Sequence, residues 1–204
     1  QLDASEGNYQ ELAARVQASV DERFLETSKR AADLADVGPK ETGSGGGGGT
    51  GGRRRERLTK EQRACVGLVG EVLAYEWLQN RYPSEMTPDS WVSGYRSAVL
   101  GGHEGDDSLG YDLEVVQKSQ TLRFEVKETS TDACEFQLTK SELRAAQSAR
   151  RGTYRIIFIR NALDSGRRTL HVLPNPFDDQ SRGKYRVMNE GLRYRFDLGP
   201  AEEE

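Results

Sequence analysis

Two short segments in the middle of the chain carry acidic residues and a lysine at the alternating spacing of β-strands. The first contains Asp112, and the second contains Glu125 and Lys127. Successive side chains on a strand point to opposite faces, so Glu125 and Lys127 share one face of the sheet. Two carboxylates and an ammonium group on one patch can hold a divalent cation beside a phosphodiester.

A hairpin between the two segments would bring Asp112 onto the face of Glu125. Antiparallel pairing of Val116 with Thr121 places Asp112 directly opposite Glu125. The apolar residues of the first segment would then pack on the other face with those of the second. This apolar set is Tyr111, Leu113 and Val115.

Four motifs, in this order and at this spacing, resemble one protein family over about residues 58 to 162. The motifs are Gly67-Leu68-Val69-Gly70-Glu71, Gly110-Tyr111-Asp112, Glu125-Val126-Lys127-Glu128-Thr129 and Phe136-Gln137-Leu138-Thr139-Lys140-Ser141-Glu142. The family is the one named for the C-terminal domain of the protein NO VEIN. Asp112 and the triplet that ends at Lys127 also resemble the signature of the PD-(D/E)xK nuclease superfamily, although Tyr111 stands where its proline is expected.

This resemblance implies an α/β fold of the restriction-endonuclease type, with a mixed central sheet flanked by helices. It also implies a metal-dependent endonuclease that hydrolyses phosphodiester bonds in DNA or RNA. Asp112, Glu125 and the backbone carbonyl of Val126 would ligate one Mg²⁺ or Mn²⁺, both hard cations that prefer oxygen. Glu71 would bind the cation directly, through water or with a second ion. Lys127 would position or help to activate the attacking water and stabilise the charge that develops at phosphorus.

Glu71 belongs to a helix that begins after Thr59 and extends to about Asn80. Thr59 is a suitable N-cap, and Gln62 follows it at capping-box spacing. Glu71 has apolar neighbours on this helix, and burial makes an unpaired charge costly. Its expected partner is therefore either a basic side chain, which is a structural role, or a bound metal, which the family resemblance favours.

A second helix is predicted from Thr139 to about Arg151. Thr139 and Glu142 form a capping box, which explains Glu142 without any chemistry. Glu142 is therefore not a predicted catalytic residue.

Four residues are candidates for contacts with nucleic acid. Residues 140 to 200 contain 13 basic and 6 acidic residues, although the whole chain carries a net charge of −4. A basic surface suits a polyanion, but a solvated, salt-bridged surface explains the same count. The candidates are Lys140, Arg144 and Gln147 on the second helix, and His103 in a polar, glycine-rich loop. For His103 the alternative is an ordinary surface position.

Composition divides the chain into four parts. Residues 1–37 predict a separate helical segment, with one helix over about 8 to 36, and residues 38–55 form a flexible linker rich in glycine and arginine. Residues 56–199 form the nuclease-like domain, and residues 200–204 are an acidic tail. We expect a cut near Arg53 to leave a folded domain. The start at Gln1 indicates a fragment of a longer protein.

The remaining strands are predicted from apolar runs and alternation. They cover Trp91 to Ser93, Glu135 to Leu138, Tyr154 to Ile159, Leu170 to Leu173 and Tyr194 to Leu198. The run that begins at Tyr154 is almost continuously apolar, which is typical of a central strand covered on both faces. The order of elements fits an α/β sandwich around a mixed sheet.

Composition also excludes several classes of protein. No stretch approaches the ~18 apolar residues of a membrane span, and Cys65 and Cys134 with two histidines make neither a disulfide framework nor a zinc pattern. We therefore expect a soluble protein in the reducing cytoplasm, with nucleic acid, first of all DNA, as its partner. One alternative is a catalytically silent scaffold that binds nucleic acid or docks an attached helicase, ATPase or partner subunit. Another is an oligomer formed through the N-terminal helix.

Overall fold

The computed structural model describes residues 8–26, 34, 58–188 and 193–196. A four-stranded mixed sheet is covered by helices on one face, and by a helix and a second sheet on the other. The helices are α1 (Tyr9–Ala18), α2 (Glu22–Glu26), α3 (Lys60–Arg81), α4 (Arg96–Leu100) and α5 (Lys140–Ser148). The strands are β1 (Leu113–Val116), β2 (Thr121–Glu128), β3 (Glu135–Gln137), β4 (Tyr154–Arg160), β5 (Thr169–Pro174), β6 (Arg186–Met188) and β7 (Arg193–Arg195).

The main sheet has the strand order β1-β2-β4-β5. β2 and β4 run parallel, whereas β1 pairs with β2 and β5 pairs with β4 in antiparallel fashion. β4 has a neighbour on each side and apolar cover on both faces, which agrees with its continuous apolar sequence. The predicted α/β fold with a mixed sheet flanked by helices is confirmed.

Alternation along the strands creates two apolar cores, one on each face of the sheet. Phe124 and Val126 of β2 face α3, together with Ile157 of β4. Ile156 and Phe158 of β4 face the opposite core, which α5, β3 and β7 complete. The two faces of β2 therefore lie in different surroundings, and this separation also divides the polar residues of the strand.

Helix α3 begins with the predicted capping box. The backbone amide of Thr59 donates to Gln62 Oε1 (2.9 Å), and the amide of Gln62 donates to Thr59 Oγ1 (3.2 Å). A side chain at Gly70 would place its Cβ 3.0 Å from the Cβ of Glu128. Glycine therefore allows α3 to approach the end of β2, as expected of a glycine retained inside a helix.

The N-terminal segment packs differently from its prediction. α1 ends at Ala18 and α2 begins at Glu22, so a single helix from 8 to 36 is wrong within the described part. Leu12, Val16 and Phe24 are buried in the core that contains α3. This apolar stripe has α3 as its partner, so the segment does not stand apart as the glycine-rich tether suggested. The predicted linker (38–55) and acidic tail (200–204) lie outside the described residues.

Several smaller predictions also differ from the structure. Trp91 forms only an isolated antiparallel bridge with Leu113, so the strand predicted there is absent. β3 does not join the main sheet, because it pairs with β7 in a second, antiparallel sheet of order β3-β7-β6. Strand β6 was not predicted. α5 ends at Ser148 instead of near Arg151.

The membrane prediction can be compared with the helices of the described ranges. Even α3, with 22 residues, lacks the apolar character that crossing a bilayer would require, and so do the shorter helices of these ranges.

Candidate functional site

The predicted hairpin register is confirmed. Val116 pairs with Thr121, and Leu113 pairs with Phe124, so Asp112 directly precedes the first residue of β1. The backbone amide of Asp112 also donates to the carbonyl of Phe124 (3.0 Å). The period-two argument therefore placed Asp112 at the correct end of the hairpin.

Tyr111, however, does not share the face of Leu113. It lies with the core on the α5 side, and its hydroxyl donates to Glu114 Oε2 (3.1 Å). The chain bends at Asp112 after Gly110, whose φ of 77° is left-handed and whose Cβ position would collide with the Ser141 carbonyl at 2.4 Å. This bend ends the strand alternation one residue before β1.

The bend also determines the position of the Asp112 carboxylate. Its Oδ2 accepts a hydrogen bond from the backbone amide of Val126 (2.8 Å), which fixes the carboxylate against β2. Burial, and after it the charge of Asp112, raises the pKa of Glu125 on one face of β2 and that of Glu71 on the other. Asp112 therefore couples the two faces of the site.

Lys127 is held between two carboxylates on the α5 face of β2. Its Nζ lies 2.6 Å from Glu125 Oε1 and donates to Glu142 Oε2 at 2.8 Å. Glu125 is only 2% exposed. Burial opposes the charge of Lys127, but these two carboxylates outweigh that effect and raise its pKa above the ordinary value. Lys127 is therefore an ammonium ion.

Glu71 lies on the α3 face and has neutral partners. Its Oε2 accepts hydrogen bonds from Trp91 Nε1 (2.8 Å) and from the hydroxyl of Ser93. The sequence suggested a basic side chain or a metal as the partner of Glu71. Among the described residues, its hydrogen-bond partners are instead the neutral side chains of Trp91 and Ser93. Burial, together with the nearby charge of Asp112, raises the pKa of Glu71 well above its ordinary value.

Glu128 adds a further carboxylate on the side of Glu71. Strand alternation places it on the face opposite Glu125 and Lys127, and its Oε2 lies 3.1 Å from the Cβ position of Gly70. Burial raises the pKa of Glu128 to about 7. Burial likewise raises the pKa of Asp112 to about 6, although Lys127 and the Val126 amide act in the opposite direction.

The donor atoms of this site suit a hard divalent cation. Asp112 and Glu125 offer carboxylate oxygens, and Val126 offers a backbone carbonyl, which are the ligand types of Mg²⁺ and Mn²⁺. A bound cation would also offset the desolvation and repulsion that raise the pKa of both acids. Within the described ranges, no group of three or more histidine, cysteine, aspartate or glutamate side chains is already arranged to hold a metal. Glu71 lies on the other face of β2 from Glu125, so direct sharing of one ion by all three acids is not preformed.

Two grooves are lined by Lys127 and Glu128 or by predicted nucleic-acid contacts. One, of about 380 Å³, is lined by Lys127 and Glu128 together with the three residues of β3. The other, of about 580 Å³, lies between residues 107–109 and α5, and Arg144 and Gln147 line it with Leu109. A third cavity, of about 590 Å³, lies between α2 and the end of α3 and includes none of the candidate site residues.

The predicted nucleic-acid contacts are only partly grouped. Arg144 and Gln147 are exposed in the α5 groove, and Lys140 is exposed in the first turn of the same helix. His103 is exposed on its loop, where its backbone carbonyl accepts from Arg96 Nη1 (3.0 Å). No hydrogen bond of the described residues joins the His103 side chain to the carboxylates.

Sequence reasoning missed two acidic residues of the site. Glu142 forms the predicted capping box and also contacts Lys127, a second role that its spacing from Thr139 does not reveal. Glu128 follows Lys127 directly. It is the next residue on the face of β2 that carries Leu122, Phe124 and Val126, and an acid at the end of this apolar series could have indicated a site residue. Trp91 and Ser93 were read as strand residues, although a tryptophan N–H buried near a helix carboxylate is a natural donor.

Comparison with protein families matches this region directly. The model of the family "Protein NO VEIN, C-terminal" matches residues 70–172. This range includes Lys127 and the carboxylate cluster, which consists of Glu71, Asp112, Glu125, Glu128 and Glu142. No curated protein and no solved structure matches the chain. The match spans 103 of 204 residues, half of the chain, and extends from the middle of α3 into β5. The chain therefore belongs to the family of the NO VEIN C-terminal domain.

Proposed function

We propose that this chain contains a metal-dependent nuclease domain of the PD-(D/E)xK type that hydrolyses phosphodiester bonds in DNA or RNA. The observation that carries the proposal is the arrangement at the end of the β1-β2 hairpin. There the Lys127 ammonium contacts Glu125 (2.6 Å), and the amide of Val126, the residue between them, donates to the Asp112 carboxylate (2.8 Å). An acid on one strand and an acid with a lysine on the next are the groups that phosphodiester hydrolysis needs.

Burial supports a functional origin for this cluster. Glu71, Asp112, Glu125 and Glu128 all have a raised pKa, chiefly because burial disfavours their charged forms. Strongly perturbed carboxyl groups in one place are costly to the fold and are typical of active sites. The cluster also borders an open groove, so a ligand can reach Lys127 and Glu128.

Each residue then has a specific role. Asp112, Glu125 and the Val126 carbonyl would hold Mg²⁺ or Mn²⁺, and Glu71 would contribute from the other face through water or at a second ion. When bound, the cation would supply Lewis-acid polarisation of the scissile phosphate. Lys127, as an ammonium ion, donates to a non-bridging phosphate oxygen or to the attacking water, and so stabilises the negative charge that develops. Water forms the new bond to phosphorus and gives up a proton to solvent, the bond from phosphorus to the leaving oxygen breaks, and that oxygen takes a proton from solvent.

The α5 groove would contact the substrate backbone. Arg144 and Gln147 line it, and Lys140 is exposed at the start of the same helix, so their donors can bind phosphate oxygens. We propose DNA as the first substrate to test, and a larger defence or nucleic-acid-processing protein as the setting of the domain.

The test uses the whole chain with plasmid DNA, single-stranded DNA and RNA, each in Mg²⁺, Mn²⁺ or EDTA. We expect cleavage of at least one substrate in the presence of metal and none in EDTA. Asp112→Asn removes a ligand charge and should lower cleavage by orders of magnitude. Lys127→Ala should leave metal binding largely intact and slow the hydrolytic step.

A catalytically silent scaffold of the same fold is the second candidate. It is favoured by the finding that, within the described residues, no three acids, histidines or cysteines are grouped to hold a metal. In that case Lys127, Glu125 and Glu142 would be a buried ion network with a structural role. The wild type would then bind nucleic acid without cutting it under any metal condition, and Asp112→Asn would behave identically.

A further inference from the structure

We infer that Glu142 is the residue that positions Lys127 for the reaction, and that it connects the ammonium to the start of α5. This inference rests on the proposed nuclease function. Its basis is a pair of contacts made by one oxygen atom: Glu142 Oε2 accepts from Lys127 Nζ (2.8 Å) and from the backbone amide of Thr139 (2.9 Å). Glu142 is therefore fixed to the backbone at the helix N-terminus and holds the lysine from that fixed point.

The geometry makes Glu142 different from an ordinary capping residue. A lysine side chain has four rotatable carbon–carbon bonds, so a single contact with Glu125 leaves its ammonium free to rotate. Glu125 and Glu142 approach the Nζ atom from two different elements, β2 and α5. Two contacts of 2.6 and 2.8 Å fix the position of Nζ and leave one of its three N–H donors for a further partner, and Lys127 lines the groove beside β2.

The same contacts link catalysis to substrate contact. Lys140 and Arg144, the proposed phosphate-binding residues, follow Thr139 on the helix whose first turn contains Glu142. A movement of α5 on its phosphate contacts would therefore move the Lys127 ammonium as well. A carboxylate accepts several hydrogen bonds, so the capping bond to Thr139 leaves Glu142 able to hold the lysine as well.

A second capping box in the chain shows how the capping role of Glu142 can be separated from its contact with Lys127. In the capping box of α3, Gln62 takes the position that Glu142 has in α5, and its Oε1 accepts from the Thr59 amide at 2.9 Å. A glutamine therefore completes this motif in the same protein. Glu142→Gln should keep the α5 cap and remove only the charge that holds Lys127.

The experiment compares five variants of the full chain, with Lys127→Ala as one of them, by cleavage kinetics in Mg²⁺ and by thermal melting. For Glu142→Gln we expect kcat to fall by about 10- to 100-fold, the size typical of a lost supporting contact and smaller than the loss of a direct donor, with KM nearly unchanged. For Thr139→Ala, which weakens the cap but keeps Glu142, we expect a lower Tm with a smaller loss of kcat. Glu104→Gln, on an exposed loop, controls for the loss of an acidic charge.

The fifth variant combines Glu142→Gln with Lys127→Ala. If Glu142 acts through the lysine, this double variant is no slower than Lys127→Ala alone, because interacting residues are not additive. Equal losses of kcat in Glu142→Gln and Thr139→Ala would overturn the inference and assign Glu142 to the cap only. A further slowing in the double variant would overturn it as well.

A readout without activity separates this inference from the proposed function. Melting of the wild type, both single variants and the double variant measures the coupling of Lys127 with Glu142 whether or not the chain cleaves anything. Additive changes in stability would overturn the pairing itself. Coupled stability in a wild type that cuts no nucleic acid would overturn the nuclease proposal and the positioning role with it, while leaving the ion pair established.

Discussion

Replacing Asp112 by asparagine should make the metal-free protein more stable at neutral pH. Burial raises the pKa of this carboxyl from 3.8 to about 6, so the folded state holds its proton more tightly than the unfolded state does. The protonated carboxyl of Asp112 therefore makes its full contribution to the free energy of unfolding below about pH 4. This contribution is lost as the pH rises through 6. Above that pH the ionised carboxylate disfavours folding.

The size of this effect follows from the shift. A rise in the pKa of Asp112 from 3.8 to about 6 corresponds to a change of about 3 kcal/mol in the free energy of unfolding, at about 1.4 kcal/mol for each pKa unit. Asp112 is only partly buried by its accessible surface, so we expect a net gain of about 1 to 3 kcal/mol for Asp112→Asn at pH 8. In a chain of this size that is a rise in Tm of roughly 2 to 10 °C. Asparagine keeps a carbonyl oxygen for the Val126 amide, so the hydrogen bond is not lost.

Added metal should reverse the order of stability. A cation that binds only the folded state stabilises it by about 2.7 kcal/mol at a concentration of 100 times its Kd. The wild type should gain this stabilisation with Mg²⁺ or Mn²⁺, and Asp112→Asn should gain much less, because one ligand charge is missing. The assay is urea or thermal unfolding at pH 4.5 and pH 8, in EDTA and in metal, with exposed Asp179→Asn as the control.

Two results would refute this reasoning. If Asp112→Asn is destabilised equally at both pH values in EDTA, then the hydrogen bond to Val126 outweighs the electrostatic penalty. If the wild type gains no stability from either metal while the pH effect is present, the pKa of Asp112 is raised as stated. The assignment of Asp112 as a metal ligand is then wrong.

Three further predictions concern the scaffold and the substrate contacts. Removing residues 1–52 should lower stability by several kcal/mol, because each buried apolar side chain such as Leu12, Val16 or Phe24 contributes about 1.5 to 3 kcal/mol; an unchanged melting curve would show that the segment is separate after all. Gly70→Ala should lower Tm although alanine favours a helix more than glycine does, since its methyl group would lie 3.0 Å from the Cβ of Glu128; an unchanged or higher Tm would remove the steric argument. Arg144→Ala should weaken nucleic-acid binding about equally for all sequences and make it less sensitive to salt, as measured by titration at several salt concentrations; an unchanged salt slope would exclude a phosphate contact.

The hairpin and both capping boxes were predictable because their signals are local. The alternation from Leu122 to Val126 fixes the side on which each residue lies, and the apolar match with β1 fixes the register at Val116 and Thr121. A capping box needs only residues three positions apart, as at Thr59 and Gln62. These features needed no knowledge of distant parts of the chain.

The rest depended on contacts between distant residues. β3 pairs with β7, which follows it by more than fifty residues, and no local pattern distinguishes this from a place in the main sheet. α1 packs on α3 across the glycine-rich segment, which composition alone presents as a boundary. Glu142 meets Lys127 only because α5 begins beside the end of β2, so its second role appeared only with the tertiary structure.

The balance of charge in the site favours the proposed functional role of its residues over a purely structural one. Lys127 is ion-paired with Glu125 and Glu142, whereas Asp112 takes a backbone amide and Glu71 takes two neutral donors. An arrangement selected for stability alone would replace such acids by apolar residues, since buried ion clusters are seldom better than well-packed hydrophobic ones. Here the acids remain on both faces of β2, and burial raises the pKa of four of them, which are Glu71, Asp112, Glu125 and Glu128. A divalent cation would compensate this excess of negative charge, and it is the component that a phosphodiester hydrolase would require.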